Sequence, residues 1–233
     1  MDVHKNTIST AVLEPGSTVP LVDKISSDDE MVRRLIARFP DRGRVWACYE
    51  AGPTGYELHR TLTAAAMRCE VIAPSLIPAR PGDRVKTDRR DARRLAVLFR
   101  GGQLTSVRVP APAEEAVRDL CRARADMVID RTRARHRLGK FLLRHGRIWR
   151  GGDNWTLKHH AWINTQRFDE AALNVTFGHY RATLIARDAA VDAIDADIAL
   201  SQTRAPFADA VAKLRRLDIG AYASAFEWCS VIR

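Results

Sequence analysis

Four acidic residues occupy positions at which carboxylates can bind metal ions together. Asp2 lies in the first predicted strand, and Glu50 ends a short apolar strand. Asp88 and Asp91 are three residues apart, which places both on one side of a helix. Since clustered carboxylates repel one another unless cations neutralise them, we expect all four to converge around two Mg²⁺ ions. Such a pair supports phosphodiester cleavage or transfer.

Each acid also has a purely structural interpretation. Two Asp residues near a helix start commonly compensate the helix dipole. A Glu after a strand is usually a polar strand end, and an Asp at the second position can belong to a frayed terminus. The order of the four acids across strand, strand and helix is what favours the metal site.

Basic residues surround these acids and continue beyond them. Between residues 80 and 150, about twenty Lys or Arg stand against about eight Asp or Glu, and the chain has a formal net charge of +10. This excess indicates a polyanionic partner, DNA or RNA, although a basic solvated surface would give the same count. The residues that we predict to contact nucleic acid are Lys86, Arg89, Arg90, Arg133, Arg135 and Arg137.

The elements that would position the acids form an α/β domain over residues 1–110. A β-hairpin is predicted over residues 1–25, and a helix follows it. A strand at 45–50, a helix at 56–67 and a strand at 69–74 form a crossover unit. A helix at 86–102 carries Asp88 and Asp91.

The rest of the chain is predicted to be helical. Apolar residues recur at three- and four-residue intervals over 114–145 and 170–200, with Arg124 and Arg131 in two slots of the first heptad pattern. This favours an antiparallel hairpin or coiled coil over residues 111–203, with an ordinary helical subdomain as the alternative. No apolar run approaches the roughly 18 residues of a membrane span, and the start lacks a signal-peptide core. We therefore expect a cytoplasmic protein without membrane contact.

Three segments carry a family resemblance. They are DVHK at 2–5, YEAGPTGYELHRTL at 49–62 and VKTDRRDARRLAVLFRGGQL at 85–104. They resemble the amino-terminal domain of the DEDD transposases of bacterial insertion sequences. The resemblance implies an RNase H-like fold of the RuvC type, with a mixed sheet and flanking helices. It assigns the four acids to Asp2, Glu50, Asp88 and Asp91.

The resemblance also implies a function. Members of the family recombine DNA with Mg²⁺, work with a structured noncoding RNA that guides target choice, and assemble as homo-oligomers. We therefore expect an insertion-sequence transposase associated with the bacterial nucleoid.

Two departures from the family pattern lead to further expectations. The apolar run that usually precedes the first Asp is absent, and residues 204–233 do not resemble the family's serine-bearing continuation. We expect an atypical tail and a truncated or frameshifted copy. Two alternatives remain open, a non-catalytic DNA- or RNA-binding fragment and a RuvC-like structure-specific nuclease.

Overall fold

A computed structural model describes residues 1–78, 88–204, 207–209 and 211–212. The chain divides into two compact units, Met1–Val109 and Pro110–Arg233. The first unit has the strands β1 (Asp2–Val3), β2 (Thr7–Val12), β3 (Leu21–Ser26), β4 (Trp46–Glu50), β5 (Arg68–Ile72) and β6 (Ser106–Val107). Its helices are α1 (Asp29–Ala37), α2 (Glu57–Ala64) and α3 (Asp88–Arg100). The second unit contains α4 (Pro112–Arg144), α5 (Leu157–Thr165) and α6 (Ala171–Ser201).

The strands of the first unit form two three-stranded sheets. The first has the order β1-β2-β3 and is antiparallel, and the second has the order β4-β5-β6. The strands β4 and β5 are parallel and are joined through α2, so the predicted crossover unit is confirmed. The amino group of Met1 donates a hydrogen bond of 2.7 Å to the carbonyl of Cys48 and thereby links the start of β1 to β4.

The first sheet has one apolar and one polar face, because strand side chains alternate. Ile8 and Ile25 are buried against α1 and α2, and Val3 packs beside them. The opposite face, which α3 covers, carries Asp2 and Ser9. The mixed α/β architecture expected of an RNase H-like domain with a helical region is therefore confirmed.

The second unit is built on the two long helices. Val117 near the start of α4 packs against Ile194 and Ile198 near the end of α6. At the other end, Phe141 of α4 packs with Phe177 of α6. The helices therefore run antiparallel, as the sequence predicts for a hairpin. The predicted link between them contains an unpredicted helix, α5. Most of the predicted tail lies outside the described residues.

Candidate metal and nucleic-acid site

The structure brings two of the four predicted acids together and adds a histidine to them. A carboxylate oxygen of Asp2, a ring nitrogen of His4 and a carboxylate oxygen of Asp88 all lie within 4.8 Å of one another. The Nε2 atom of His4 is 3.2 Å from Asp2 and 3.6 Å from Asp88. Two carboxylates and an imidazole are donors that suit a divalent transition metal or Mg²⁺.

The positions of Asp2, His4 and Asp88 in the fold explain why their side chains lie close together. Asp2 and His4 are two residues apart, so both can project from the same face of the sheet, the face on which α3 lies. Asp88 is the first residue of α3. Its carboxylate therefore stands over the strand that carries Asp2, where a helix dipole favours negative charge.

The other two predicted acids are placed differently. Neither Glu50 nor Asp91 belongs to the Asp2–His4–Asp88 group among the residues that the structure describes. Glu50 is exposed at the end of β4, two residues after the Cys48 carbonyl that binds Met1. Asp91 is partly buried one helical turn beyond Asp88. The convergence of all four acids stays a prediction, and mutual repulsion is a physical reason for separation where no cation neutralises them.

The loop after Glu50 is held firmly by its neighbours. The hydroxyl of the fully buried Tyr49 donates to the carbonyl of Gly55 at 3.1 Å. The amide of Ala51 donates to the carbonyl of Ile72 at 2.9 Å. Gly55 has a φ of +68°, a backbone conformation that glycine adopts without strain. The turn therefore fixes the backbone from which Glu50 projects.

A lysine that the sequence analysis missed neutralises one acid. The Nζ atom of Lys24 in β3 donates to the Oδ2 atom of Asp88 at 2.9 Å. Of the interactions that lower the pKa of the Asp88 carboxyl below its usual range, this hydrogen bond has the largest effect. The alternation of polar and apolar residues in β2 and β3 could have indicated that Lys24 lies on the same face as Asp2. The DVHK segment, which contains both Asp2 and His4, could have indicated that His4 lies at the site.

The six predicted nucleic-acid contacts fall into three groups. Arg89 and Arg90 are exposed beside Asp88, and Lys86 lies outside the described residues. Arg133 and Arg137 are exposed on α4. Arg135 is partly buried and faces α6, and its contact with nucleic acid stays a prediction.

Arg135 is held by contacts between the helices. Its Nη2 atom donates to Asp188 of α6 at 3.2 Å, and its guanidinium lies over the ring of Trp155. Because its side chain is only 26% exposed, these contacts account for a structural role.

Comparison with known proteins identifies the family to which the chain belongs. Residues 1–146, more than half of the chain, match the model of a transposase family, the DEDD transposases of the IS110 type. The chain belongs to this family. The name DEDD refers to acidic residues, and such acidic sites in general use divalent metal.

Two relatives show the extent of the similarity to transposases. The Sinorhizobium fredii protein y4qE, named as a presumed transposase, is 42% identical over 189 residues, which cover 80% of this chain and 48% of the relative. The transposase for insertion sequence element IS1533 of Leptospira borgpetersenii is 34% identical over 219 residues, 92% of this chain and 63% of the relative. The chain thus spans about half to two thirds of these relatives. Among the described residues, none of the helices combines the length with the hydropathy that a membrane-spanning segment requires.

Proposed function

We propose that this chain carries the metal-dependent, DNA-cleaving part of an insertion-sequence transposase. The observation that carries the proposal is the meeting of Asp2 and Asp88 around His4. These residues come from two distant segments, both within the part of the chain that matches the transposase family. A metal-dependent enzyme that acts on nucleic acid combines a cation site with basic residues, and Arg89 and Arg90 provide such residues on the helix that carries Asp88.

The donor set fits a divalent cation. Asp2, His4 and Asp88 would hold it, and we propose Glu50 and Asp91 as further ligands. When bound, a pair of Mg²⁺ ions supplies activation of the attacking oxygen and stabilisation of the leaving oxygen in phosphodiester cleavage. The carboxylates of Asp2 and Asp88 would hold the cation from a strand and a helix. The carboxylates of Asp2 and Asp88 suit Mg²⁺ and Mn²⁺ alike, and the imidazole of His4 adds a donor that transition-metal ions accept more readily than Mg²⁺ does.

We propose that DNA and a structured RNA bind through their backbones to the exposed arginines. Arg133 and Arg137 lie on α4 and leave the apolar side of that helix free to pack in the hairpin. Arginine forms charge-assisted, often bidentate bonds with phosphate. Sequence choice would come from base pairing with the RNA, as in other guided systems.

Self-association is proposed for the hairpin. Val175, Ile185 and Leu200 of α6 are each at least half exposed, although they are large apolar side chains. A second copy of the chain that covers them would remove this apolar surface from water. Light scattering should give a multiple of the chain mass, and Ile185→Glu should lower it. A monomeric wild-type chain would contradict this part of the proposal.

The decisive experiment measures nicking of branched DNA by the full chain with Mg²⁺ or Mn²⁺, with and without RNA from the flanking element. Asp88→Asn should abolish nicking, because the cation loses a charged ligand. Asp192→Asn is the matched control, since Asp192 is an exposed acid on α6. Metal-independent nicking would contradict the proposal. DNA binding without nicking would favour the non-catalytic alternative.

A further inference from the structure

Lys24 belongs to a row of residues that crosses the first sheet. Asp2 of β1 pairs with Ser9 of β2, and Ser9 pairs with Lys24 of β3. Directly opposite residues on neighbouring strands project from the same face. The carboxylate of Asp2 and the ammonium of Lys24 therefore share the face that α3 covers, and Lys24 reaches Asp88 from there.

Ser9 at the centre of this row provides a second, independent observation. Its side chain is 1% exposed, and its hydroxyl has no hydrogen-bond partner among the described residues. A buried hydroxyl without a hydrogen-bond partner carries a free-energy cost, because it has lost its water. Because this cost falls between Asp2 and Lys24, it indicates that the row is arranged for a filled site.

The surroundings of Lys24 indicate that its bond to Asp88 is exchangeable. The two side chains are 42% and 41% exposed, and exposed ion pairs contribute little to stability. A divalent cation that also contacts Asp2 and His4 competes readily with such a bond. The flexible four-carbon stem then leaves the ammonium beside the site, where a lysine binds phosphate as a point charge.

We propose that Lys24 is a positioning residue that holds Asp88 in the metal-free protein and, once a divalent cation takes that carboxylate, contacts a phosphate of the DNA. This role rests on the proposed function. It differs from a permanent structural pair, in which Lys24 would merely fasten α3 to the sheet and would stay on Asp88 when metal binds.

Mn²⁺ binding and DNA binding separate these two roles. Free Mn²⁺ is measured by electron paramagnetic resonance with the full wild-type chain and with the Lys24→Met variant. We expect about tenfold tighter Mn²⁺ binding by the variant, because one positive charge beside a divalent cation is removed. Duplex DNA binding with Ca²⁺ is then titrated over a range of salt concentrations. The plot of the logarithm of the DNA-binding constant against the logarithm of the salt concentration has a negative slope. In the Lys24→Met variant the magnitude of this slope should be smaller by about 0.9, the contribution of one phosphate contact.

Two further variants complete the experiment. Lys158→Met, at an exposed lysine of α5, should leave both quantities unchanged. Asp88→Asn should lower Mn²⁺ affinity. If the wild type binds no Mn²⁺, or Asp88→Asn has no effect, the proposed metal site fails and Lys24 has no such role. If Mn²⁺ binding depends on Asp88 but Lys24→Met weakens it, or leaves it and the salt slope unchanged, only the role of Lys24 is overturned.

Discussion

Pairs of acidic and basic side chains occur in both units, but their surroundings differ. In the first unit, Lys24 and Asp88 are each about two-fifths exposed. In the second unit, Arg124 donates through two nitrogens to Asp195, and its side chain is 19% exposed. Arg131 and Arg135 both contact Asp188. In the hairpin, arginine guanidinium groups of α4 therefore bind carboxylates of α6, whereas a single lysine binds Asp88 at the candidate metal site.

This difference matches two uses of charge. A half-buried guanidinium loses much of its hydration, so losing its partner is costly. An exposed ammonium regains water easily and can change partners at little cost. We infer that the hairpin pairs fix the register of the helices, while the Lys24–Asp88 pair at the candidate metal site is available for exchange.

The largest expected loss of stability follows from a change in the hydrophobic core of the hairpin. Phe141→Ala should lower the free energy of unfolding by about 3–5 kcal/mol, because Phe141 is 2% exposed within an aromatic cluster. Denaturant titration of the full chain, followed by circular dichroism, measures it. Leu157→Ala is the control, since Leu157 is 90% exposed and its truncation should change stability by less than about 0.5 kcal/mol. Equal losses would contradict the packing described.

Matched Asp→Asn changes compare the partly buried ion pairs of the hairpin with the exposed ion pair of the first unit. Asp188→Asn should destabilise the chain by about 2 kcal/mol, because it leaves two partly buried guanidinium groups without a charged partner. Asp88→Asn should lower stability much less than Asp188→Asn does, since its pair is exposed. Denaturant titration compares them. A larger loss from Asp88→Asn would reverse the assignment of structural and exchangeable pairs.

The arginines of α4 allow the same contrast within one helix. Changing Arg133 and Arg137 together to Ala should reduce the magnitude of the salt slope of DNA binding by about 1.8, because each arginine is proposed to contact one phosphate. Arg135→Ala should leave the slope unchanged and destabilise the hairpin, because Arg135 binds Asp188. Fluorescence anisotropy with labelled duplex measures the slopes. A slope change confined to Arg135→Ala would contradict this division.

The smallest effect concerns pH and the buried His159. The backbone amide of Trp155 donates to its Nδ1 atom at 2.8 Å, so the ring accepts as a neutral imidazole. Burial, with a smaller contribution from His160, lowers the pKa of His159 below its ordinary value of 6.5. The unfolded chain therefore takes up the proton first. The stabilisation is complete above pH 6.5 and declines as the pH falls toward the folded-state pKa.

Denaturant titrations at several pH values test this dependence. His159→Gln should flatten the decline in unfolding free energy below pH 6.5 relative to the wild type. His160→Gln is the control and should retain most of it, because His159 and its bond to Trp155 remain. A wild-type stability that rises as the medium is acidified from pH 7 would contradict the sign.

Local sequence patterns determined most of the regular elements. The helices predicted at 86–102, 114–145 and 170–200 are observed at Asp88–Arg100, Pro112–Arg144 and Ala171–Ser201. Periodicity is a local property, so it defines which residues share one side of a helix. The short helix α5 was missed because it has little amphipathic pattern of its own. Ile163, which it buries in the hairpin core, shows that tertiary packing stabilises it.

The sequence also supplied the four acids as candidates, but only tertiary structure decided their neighbours. The pairing of β1, β2 and β3 aligns Asp2, Ser9 and Lys24, although Lys24 is 22 residues from Asp2 in the chain. A shift of one residue in that pairing would turn Lys24 to the apolar face. Likewise, Arg135 has the sequence context of a DNA contact, and only the packing of α4 on α6 brings it to Asp188. Residue type and spacing determine which chemistry is available, whereas strand register and helix packing decide which groups meet.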